Sequence, residues 1–558
     1  MTDPPRWTQP PRWTQPPRWT QPPRWTQPPR WKGTRRVLFT GGTILAQGVR
    51  IPAADASVGD EPQQSAMLVD GHLIAWIGSD EDALRHRSSA HEHLELDGAV
   101  ITPGFVDAHV HATSTGLTLA GLDLTRANSL TEALSLIEAA ARSARGAPIL
   151  GHGWDETRWA EGRPPTSGEV DRASWGSLVY LSRIDVHSAV ISSALLAEMP
   201  RARELDGFGA DGLVSRAAHH AYREVALRLI GAAQQERAHR EARSRAASLG
   251  IVAMHEMAGP AISSADDLRG LMRLSDEEPG PLVSGYWGEL AETGGVEQAA
   301  ELGAIGAAGD LFIDGAIGSR TACLRHAYLD AHESSGAQYL SEEQVRDHVV
   351  ACIEAGMQAG FHVIGDRATD VIMAAMTGAA TKLGADVVRA GGHRLEHAEM
   401  LDSDHITEMA RLGMTASVQP MFDGLWGARG GMYEQRLGRE RSLGMNRFAD
   451  LTAAGVLTAF GSDSPVTDLG PWQAVAAAVH HHQPAQRISP IAAFRAHSVA
   501  GWRAVGDRES GVLAPGAPAH YAIWDTAASL NGSAPLPTAL RTVVSGATVH
   551  DLGVVGAR

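Results

Sequence analysis

The residues with the clearest chemical content are His109-Val-His111, which end the apolar stretch Ala99–Val110. On a β-strand, residues i and i+2 point to the same side, so both imidazoles can reach one metal ion. The spacing alone carries little weight, because it recurs at His91/His93 and His480/His482. Position separates the three pairs: His91/His93 read as lying in a polar loop and His480–His482 precede Gln483-Pro484, whereas His109/His111 close a strand. Three later strand-like segments also end in metal-competent residues: His362 after Gly360-Phe361, His397 in Arg394-Leu-Glu-His397, and Asp463 in Phe460-Gly-Ser-Asp463. Taken singly, each is more often a satisfied core or surface residue. Jointly they are another matter, since in a barrel of parallel strands every strand C-terminus meets at one face. A divalent ion held there by neutral imidazoles and a carboxylate lowers the pKa of bound water from 15.7 towards about 7, which points to hydrolysis.

The elements that must position these side chains can be read from periodicity. Between about residue 103 and residue 504, strand-like runs alternate with helical stretches, which predicts a parallel sheet covered by helices. The candidate strands are Ile149–His152, Leu178–Leu181, Ile251–His255, Leu311–Ile313, Gly360–Ile364, Gly392–Leu395, Thr415–Val418 and Val456–Phe460. Leu130–Ala144 reads as a helix with Ser129 and Glu132 as its capping box and Leu130, Leu134, Ile137 and Ala141 on one stripe. This length of alternation suits an α/β fold of the (β/α)8 TIM-barrel kind, and no Gly-rich phosphate fingerprint follows a strand. With His109/His111 closing a further strand the candidates exceed eight, so an insertion is expected around residues 154–213, where Pro164-Pro165 and many glycines interrupt the alternation. Both chain ends are β-rich. Val37–Thr40, Ala66–Val69, Leu73–Ile77 and Leu94–Leu96, with an Asp70-Gly71 hairpin signal, are answered by His520–Trp524 and Thr542–Val544. Neither end has strands enough to be stable alone, so they are expected to form one small β-sandwich domain from residues 34–102 and 505–558 beside a barrel over 103–504.

Composition narrows the partners. The 558 residues carry a formal charge of −16, but Met1–Arg36 hold a net of +7, which leaves −23 for the rest. So acidic a body repels phosphate backbones, arguing against nucleic acid and anionic membranes. A small-molecule substrate is the expected partner, with a homodimer allowed. Pro-Pro-Arg-Trp-Thr-Gln repeats from Pro4, placing 10 of the 29 prolines and 5 of the 14 tryptophans in the tail. Paired prolines preclude helix or sheet core, so residues 1–33 are expected to be disordered low-complexity sequence, and they lack the apolar stretch of a secretory signal. Only Cys323 and Cys352 occur and no 18-residue apolar window exists, which fits a cytoplasmic protein without disulfides.

At this point the residues resemble a family, the amidohydrolase superfamily, in the branch that includes N-substituted formamide deformylases. The strings that carry the resemblance are Pro103-Gly-Phe-Val-Asp-Ala-His109-Val-His111, Gly153-Trp-Asp155, Arg183-Ile-Asp-Val-His187, Asp314-Gly-Ala-Ile-Gly-Ser-Arg-Thr-Ala322, His362-Val-Ile-Gly-Asp366, Arg394-Leu-Glu-His397-Ala-Glu and Gly461-Ser-Asp463-Ser-Pro465. The resemblance implies that His109, His111, His362, His397 and Asp463 are ligands of one or two divalent ions, zinc first, with Asp463 also the general base and His397 beside it in the catalytic set. Many relatives bridge two ions with a carboxylated lysine. Here Asp310 stands at that position, and lysine occurs only at Lys32 and Lys382. Asp310 can supply one carboxylate oxygen from a shorter side chain, so one tightly held ion, or two with another acid such as Glu256, is expected.

The implied reaction is hydrolysis of a linear amide or N-substituted formamide by metal-bound hydroxide, with Asp463 passing a proton to the leaving nitrogen. The alternatives are a deaminase or cyclic amidohydrolase on the same scaffold, or a non-catalytic binding homologue. Trp154, Asp155, Arg158 and Trp159 follow one strand as an aromatic and charged cluster suited to substrate, and His187 and Arg320 are candidates for orienting a carbonyl. Residues 421–441, rich in Gly, Arg and Met, have room to form a lid.

Overall fold

The computed structural model describes residues 28–46, 64–530 and 535–556. Its centre is a barrel of eight parallel strands: β1 (Phe105–Val110), β2 (Ile251–Ala258), β3 (Leu282–Trp287), β4 (Gly306–Ala307), β5 (Gln358–Val363), β6 (Arg394–His397), β7 (Thr415–Val418) and β8 (Leu457–Phe460). They pair in sequence order from β1 to β8. The ring closes where the Asp463 N–H donates to the His109 carbonyl at 2.8 Å. Parallel strands covered by helices are apolar on both faces, and β1, β2 and β5 are buried along their whole length.

The helices start and stop where local chemistry says they should. Glu342–Ala355 begins on a capping box of Ser341 and Gln344 and ends at Gly356, whose φ of 69° suits only glycine without strain. Leu130–Ala144 has the expected bounds, and the Ser129 hydroxyl accepts from the Glu132 N–H. Glu132 does not complete the box, because its carboxylate accepts from the Asn128 N–H instead, one residue before the cap.

Val179–Arg183 lies within residues 154–213, where an insertion is expected, and Ile149–Trp154 joins it outside the barrel, in a five-stranded sheet with Leu122–Asp123, Ser188–Ile191 and Leu213–Ser215. Leu311–Ile313 is not a strand; the fourth position belongs to Gly306–Ala307, and Phe312 makes only a single bridge to His362. Leu282–Trp287 was hidden because Ser284 and Gly285 break its apolar run.

The chain ends form two sheets. One contains Arg36–Thr40, Ala66–Asp70, Leu73–Gly78 and Glu92–Glu95, and the other joins Thr43–Ile44 and Val100–Pro103 to Tyr521–Trp524, Ala539–Val544 and Ala547–Asp551. Phe39, Met67, Ile74, Ile101, Tyr521 and Val543 share one core between them, which makes a small β-sandwich. Repeats up to residue 27 lie outside the described residues. The last copy is anchored rather than free: the Trp31 indole N–H donates to the Ser275 carbonyl at 3.0 Å and the Gly33 N–H to the Ser545 carbonyl at 2.9 Å.

Buried histidines outside the barrel mouth make stability depend on pH. Burial pushes His348, His393 and His520 down to about 4, with His348 adding to the effect on His393. Between pH 4 and 6.5 the unfolded chain binds these protons and the folded one does not, so stability rises with pH through that window. Each imidazole then contributes roughly 3 kcal/mol above pH 6.5 that is lost by about pH 4. Acids such as Glu256 pull the other way over part of this window, so the test isolates one imidazole: His348→Asn is expected to lessen the fall of the urea midpoint between pH 6.5 and 4.5, and a slope unchanged by that substitution would refute this.

Candidate metal centre

At the C-terminal mouth of the barrel, His109, His111, Asp310, His362, His397 and Asp463 converge, all buried. Each imidazole is held by one nitrogen and turns the other inward. The Nδ1 of His109 meets the Glu396 carboxylate at 2.9 Å, His111 Nδ1 donates to the Met257 carbonyl at 3.0 Å, His362 Nε2 donates to the Gly315 carbonyl at 3.3 Å, and His397 Nδ1 donates to Gln419 Oε1 at 2.9 Å. Such outer partners fix ring orientation and tautomer, as expected around a metal.

His109 Nε2, Asp310 Oδ1, His362 Nδ1, His397 Nε2 and Asp463 Oδ1 are buried without a hydrogen-bond partner among the described residues. Buried polar atoms are normally paired, so five orphans facing one point call for a ligand. Together with His111, these residues fall into three trios whose ligand atoms lie within 4.8 Å of one another: His109, His111 and Asp310; His109, His397 and Asp463; and Asp310, His362 and His397. Asp310 belongs to two of them. Its Oδ2 is 3.1 Å from His111 Nε2, and its Oδ1 is 3.5 Å from His109, 3.6 Å from His397 and 3.7 Å from His362, so the short side chain faces both histidine pairs.

Electrostatics asks for a cation at the same point. Burial opposes ionisation of Asp310 and Asp463, but His109 and His111 outweigh it and hold both carboxyls well below the usual range. Burial likewise opposes a charged His109, yet the two carboxylates raise it well above the ordinary imidazole value. The positive charge that the two carboxylates draw onto these imidazoles is one that a divalent ion would supply in its place, with nitrogen and oxygen donors suited to it.

The backbone is built for this convergence. Asp107 Oδ1 accepts the N–H groups of His109 at 3.2 Å and Ser462 at 2.9 Å, tying β1 to the turn after β8. A Cβ on Gly461 would lie 2.5 Å from His109 N, so only glycine fits there. His397 and Asp463 have φ of 69° and 54°, left-handed values that non-glycine residues hold at a cost where the surroundings determine them.

The other candidates separate into near and far. His187 is near, its ring 4.9 Å from that of His362. Trp154 does not reach the cavity: it is packed in the core of the inserted sheet, its indole N–H donated to the Leu181 carbonyl at 2.8 Å. Asp155 accepts from Thr157 and from Arg183. Arg320 pairs with Asp330 at 2.7 Å. Arg158 donates to the Thr125 carbonyl and Trp159 to that of Ala127. Glu256 is not in the trios; it accepts the Ala112 N–H at 2.7 Å, and burial pushes its carboxyl up to about 7. Residues 420–443 fold as short helices whose Phe422, Trp426, Met432 and Tyr433 wall the cavity over His362, His397 and Asp463.

Two residues missed from sequence matter most. Glu396 orients His109 and is itself gripped by Arg394, with nitrogen to oxygen distances of 2.8 and 3.1 Å. Strand alternation put Arg394 and Glu396 on one face, a signal that was present but pointed to no partner.

Comparison with known proteins identifies the family. The chain is 27% identical over 534 residues to Protein LONG AFTER FAR-RED 3 of Arabidopsis thaliana, covering 88% of this chain and 87% of that one. It is 25% identical over 452 residues to N-substituted formamide deformylase of Arthrobacter pascens, covering 74% and 80%. The fold is similar to the crystal structure of an uncharacterized metal-dependent hydrolase from Pyrococcus furiosus, with a TM-score of 0.68 at 24% identity over 88% of this chain and 99% of that one. The amidohydrolase family model matches residues 92–550, which takes in all eight barrel strands and every residue of the centre. A match of that extent means that the chain belongs to the amidohydrolase family, whose members are metal-dependent hydrolases.

Proposed function

We propose that this amidohydrolase cleaves the C–N bond of a linear amide, with N-substituted formamides as the first class to examine. His109, His111, His362, His397, Asp310 and Asp463 would hold the metal, zinc being favoured by four imidazole donors. The observation that carries the reading is the set of five partnerless buried atoms around one point. The deformylase relative supports the substrate class.

A divalent ion at that point lowers the pKa of water towards about 7 and polarises a carbonyl. The chain does the rest. Asp463, kept ionised by His109 and His111, takes a proton from the attacking water and delivers it to the nitrogen as the C–N bond breaks. Water thus divides between the two products, formate and an amine. Glu396 and Gln419 keep His109 and His397 in position, and Phe422, Trp426 and Met432 exclude bulk water from the cavity. Asp310, in two of the trios, supports two ions over one.

The test is metal analysis of the purified protein alongside release of amine from N-formyl and N-acyl amines. Bound zinc with amine release that a chelator abolishes and zinc restores is the expected result. Protein without metal or hydrolysis would favour a non-catalytic homologue, and ammonia release from an amidine would favour a deaminase.

A further inference from the structure

Two hollows that share His187, His362, His397 and Asp463 give the centre two unlike walls. One is apolar, made by Ile317, Phe422, Trp426, Met432 and Val466. The other comes from the helix Arg216–Arg228, where His219, His220 and Arg223 share a face by their spacing and border the space over Asp310, His362, His397 and Asp463. Arg223 also borders an adjoining hollow toward His152 and Ser182.

Arg223 is only 8% exposed and has neither a hydrogen bond from its guanidinium nor an ion pair with any described residue. The other buried arginines are all satisfied. Arg183 pairs with Asp155, Glu156 and Asp185; Arg394 with Glu396; Arg436 with Glu156 and Asp330; and Arg243 donates to three backbone carbonyls. The guanidinium nitrogens of Arg223 are open to the hollows, and no described residue pairs with the charge, which leaves it available to an anion. Among the described residues, the acids bordering the two hollows that Arg223 lines are Asp310 and Asp463, which face the histidines of the centre, while Asp185 and Glu399 border the hollow with the apolar wall. Beside Arg223, His219 has Nε2 at 2.7 Å from the Tyr180 hydroxyl and its Nδ1 without a partner.

We propose that Arg223 receives a carboxylate of the substrate, so that the enzyme acts on an N-formyl or short N-acyl derivative of an apolar amino acid rather than of a simple amine. The inference rests on the amide-hydrolysis reading above and narrows it. A planar carboxylate matches the guanidinium fork through two hydrogen bonds and brings one negative charge to one positive charge. With its carboxylate on Arg223, such a substrate would place its amide at the His362 and His397 side of the centre, where the two hollows meet. A doubly charged phosphate is disfavoured because those two carboxylates border the same space.

The probes are N-formylphenylalanine, as both enantiomers, and N-phenethylformamide, which differs by the absent carboxylate. Calorimetric binding to the full chain, with and without zinc, is expected to favour one enantiomer of the acid by about 100-fold over the neutral amide. Arg223→Met is expected to bring that ratio close to one and Arg223→Lys to keep part of it. Because no partner is lost, the melting temperature of Arg223→Met should not fall below that of the parent. Equal binding of both probes by the parent, or a ratio that survives Arg223→Met, would overturn the carboxylate site. Amine release from N-phenethylformamide without any preference for the acid would sink this inference alone. A binding preference with no amine release from either probe would keep the carboxylate site and sink the hydrolysis.

Discussion

Asp463→Asn is expected to reduce turnover of an N-formyl amine by about 10³-fold, in the middle of the range found when a positioned general acid–base group is lost. The amide keeps the shape of the side chain but cannot take a proton. Asp463 is also one of two carboxylates facing the imidazoles, with Oδ1 at 3.3 Å from His109 Nε2 and 3.1 Å from His111 Nε2, so metal content should fall as well. Measuring kcat with saturating zinc separates the two effects: the rate loss should persist when the metal is restored. Full activity in Asp463→Asn would remove this residue from the proton path.

The second large effect is on stability and lies one step away from the centre. Arg394→Met is expected to cost about 3 kcal/mol, because it removes the full counter-charge of Glu396 in the barrel interior and leaves that carboxylate with His109 alone. Both side chains are fully buried, and Arg394 also donates to the Ala108 carbonyl at 2.8 Å and the Tyr286 hydroxyl at 3.2 Å. Burial opposes ionisation of Glu396, and Arg394 and His109 together overcome it, holding the carboxyl well below its ordinary value. Loosening Glu396 should weaken metal binding by roughly 10- to 100-fold through His109. Urea unfolding of metal-free protein and zinc titration read the two consequences separately. Adding Glu396→Gln to Arg394→Met should recover part of the stability, since no charge is then left unpaired; a loss below about 1 kcal/mol in the single variant would show that the pair is not what holds the strand ends together.

The expectations that came true in the fold were those with a local cause. Leu130–Ala144 is bounded by a serine cap and a 3.6-residue stripe, and the Asp70-Gly71 turn joins two paired strands, because caps and turns depend on neighbours a few residues away. Ile149–Trp154 and Val179–Arg183 were recognisable as strands for the same reason. Which sheet they would join was not, since periodicity carries no information about the partner strand. Gly306–Ala307 is too short and too small to leave a pattern at all.

The same division runs through the centre. By itself the sequence determined which side chains could meet: i, i+2 geometry on β1 and the common end of parallel strands bring His109, His111, His362, His397 and Asp463 within reach of one another. Only the tertiary structure decided the rest. Asp310 faces both histidine pairs, Glu396 reaches His109 across 287 residues of chain, Trp154, Asp155 and Arg320 are spent on other partners, and Arg223 is left with none. The reason is physical: a side chain's type sets what it can bind, but whether it is buried and what stands opposite are fixed by segments far away in sequence, and those two conditions make a polar group structural or available for chemistry.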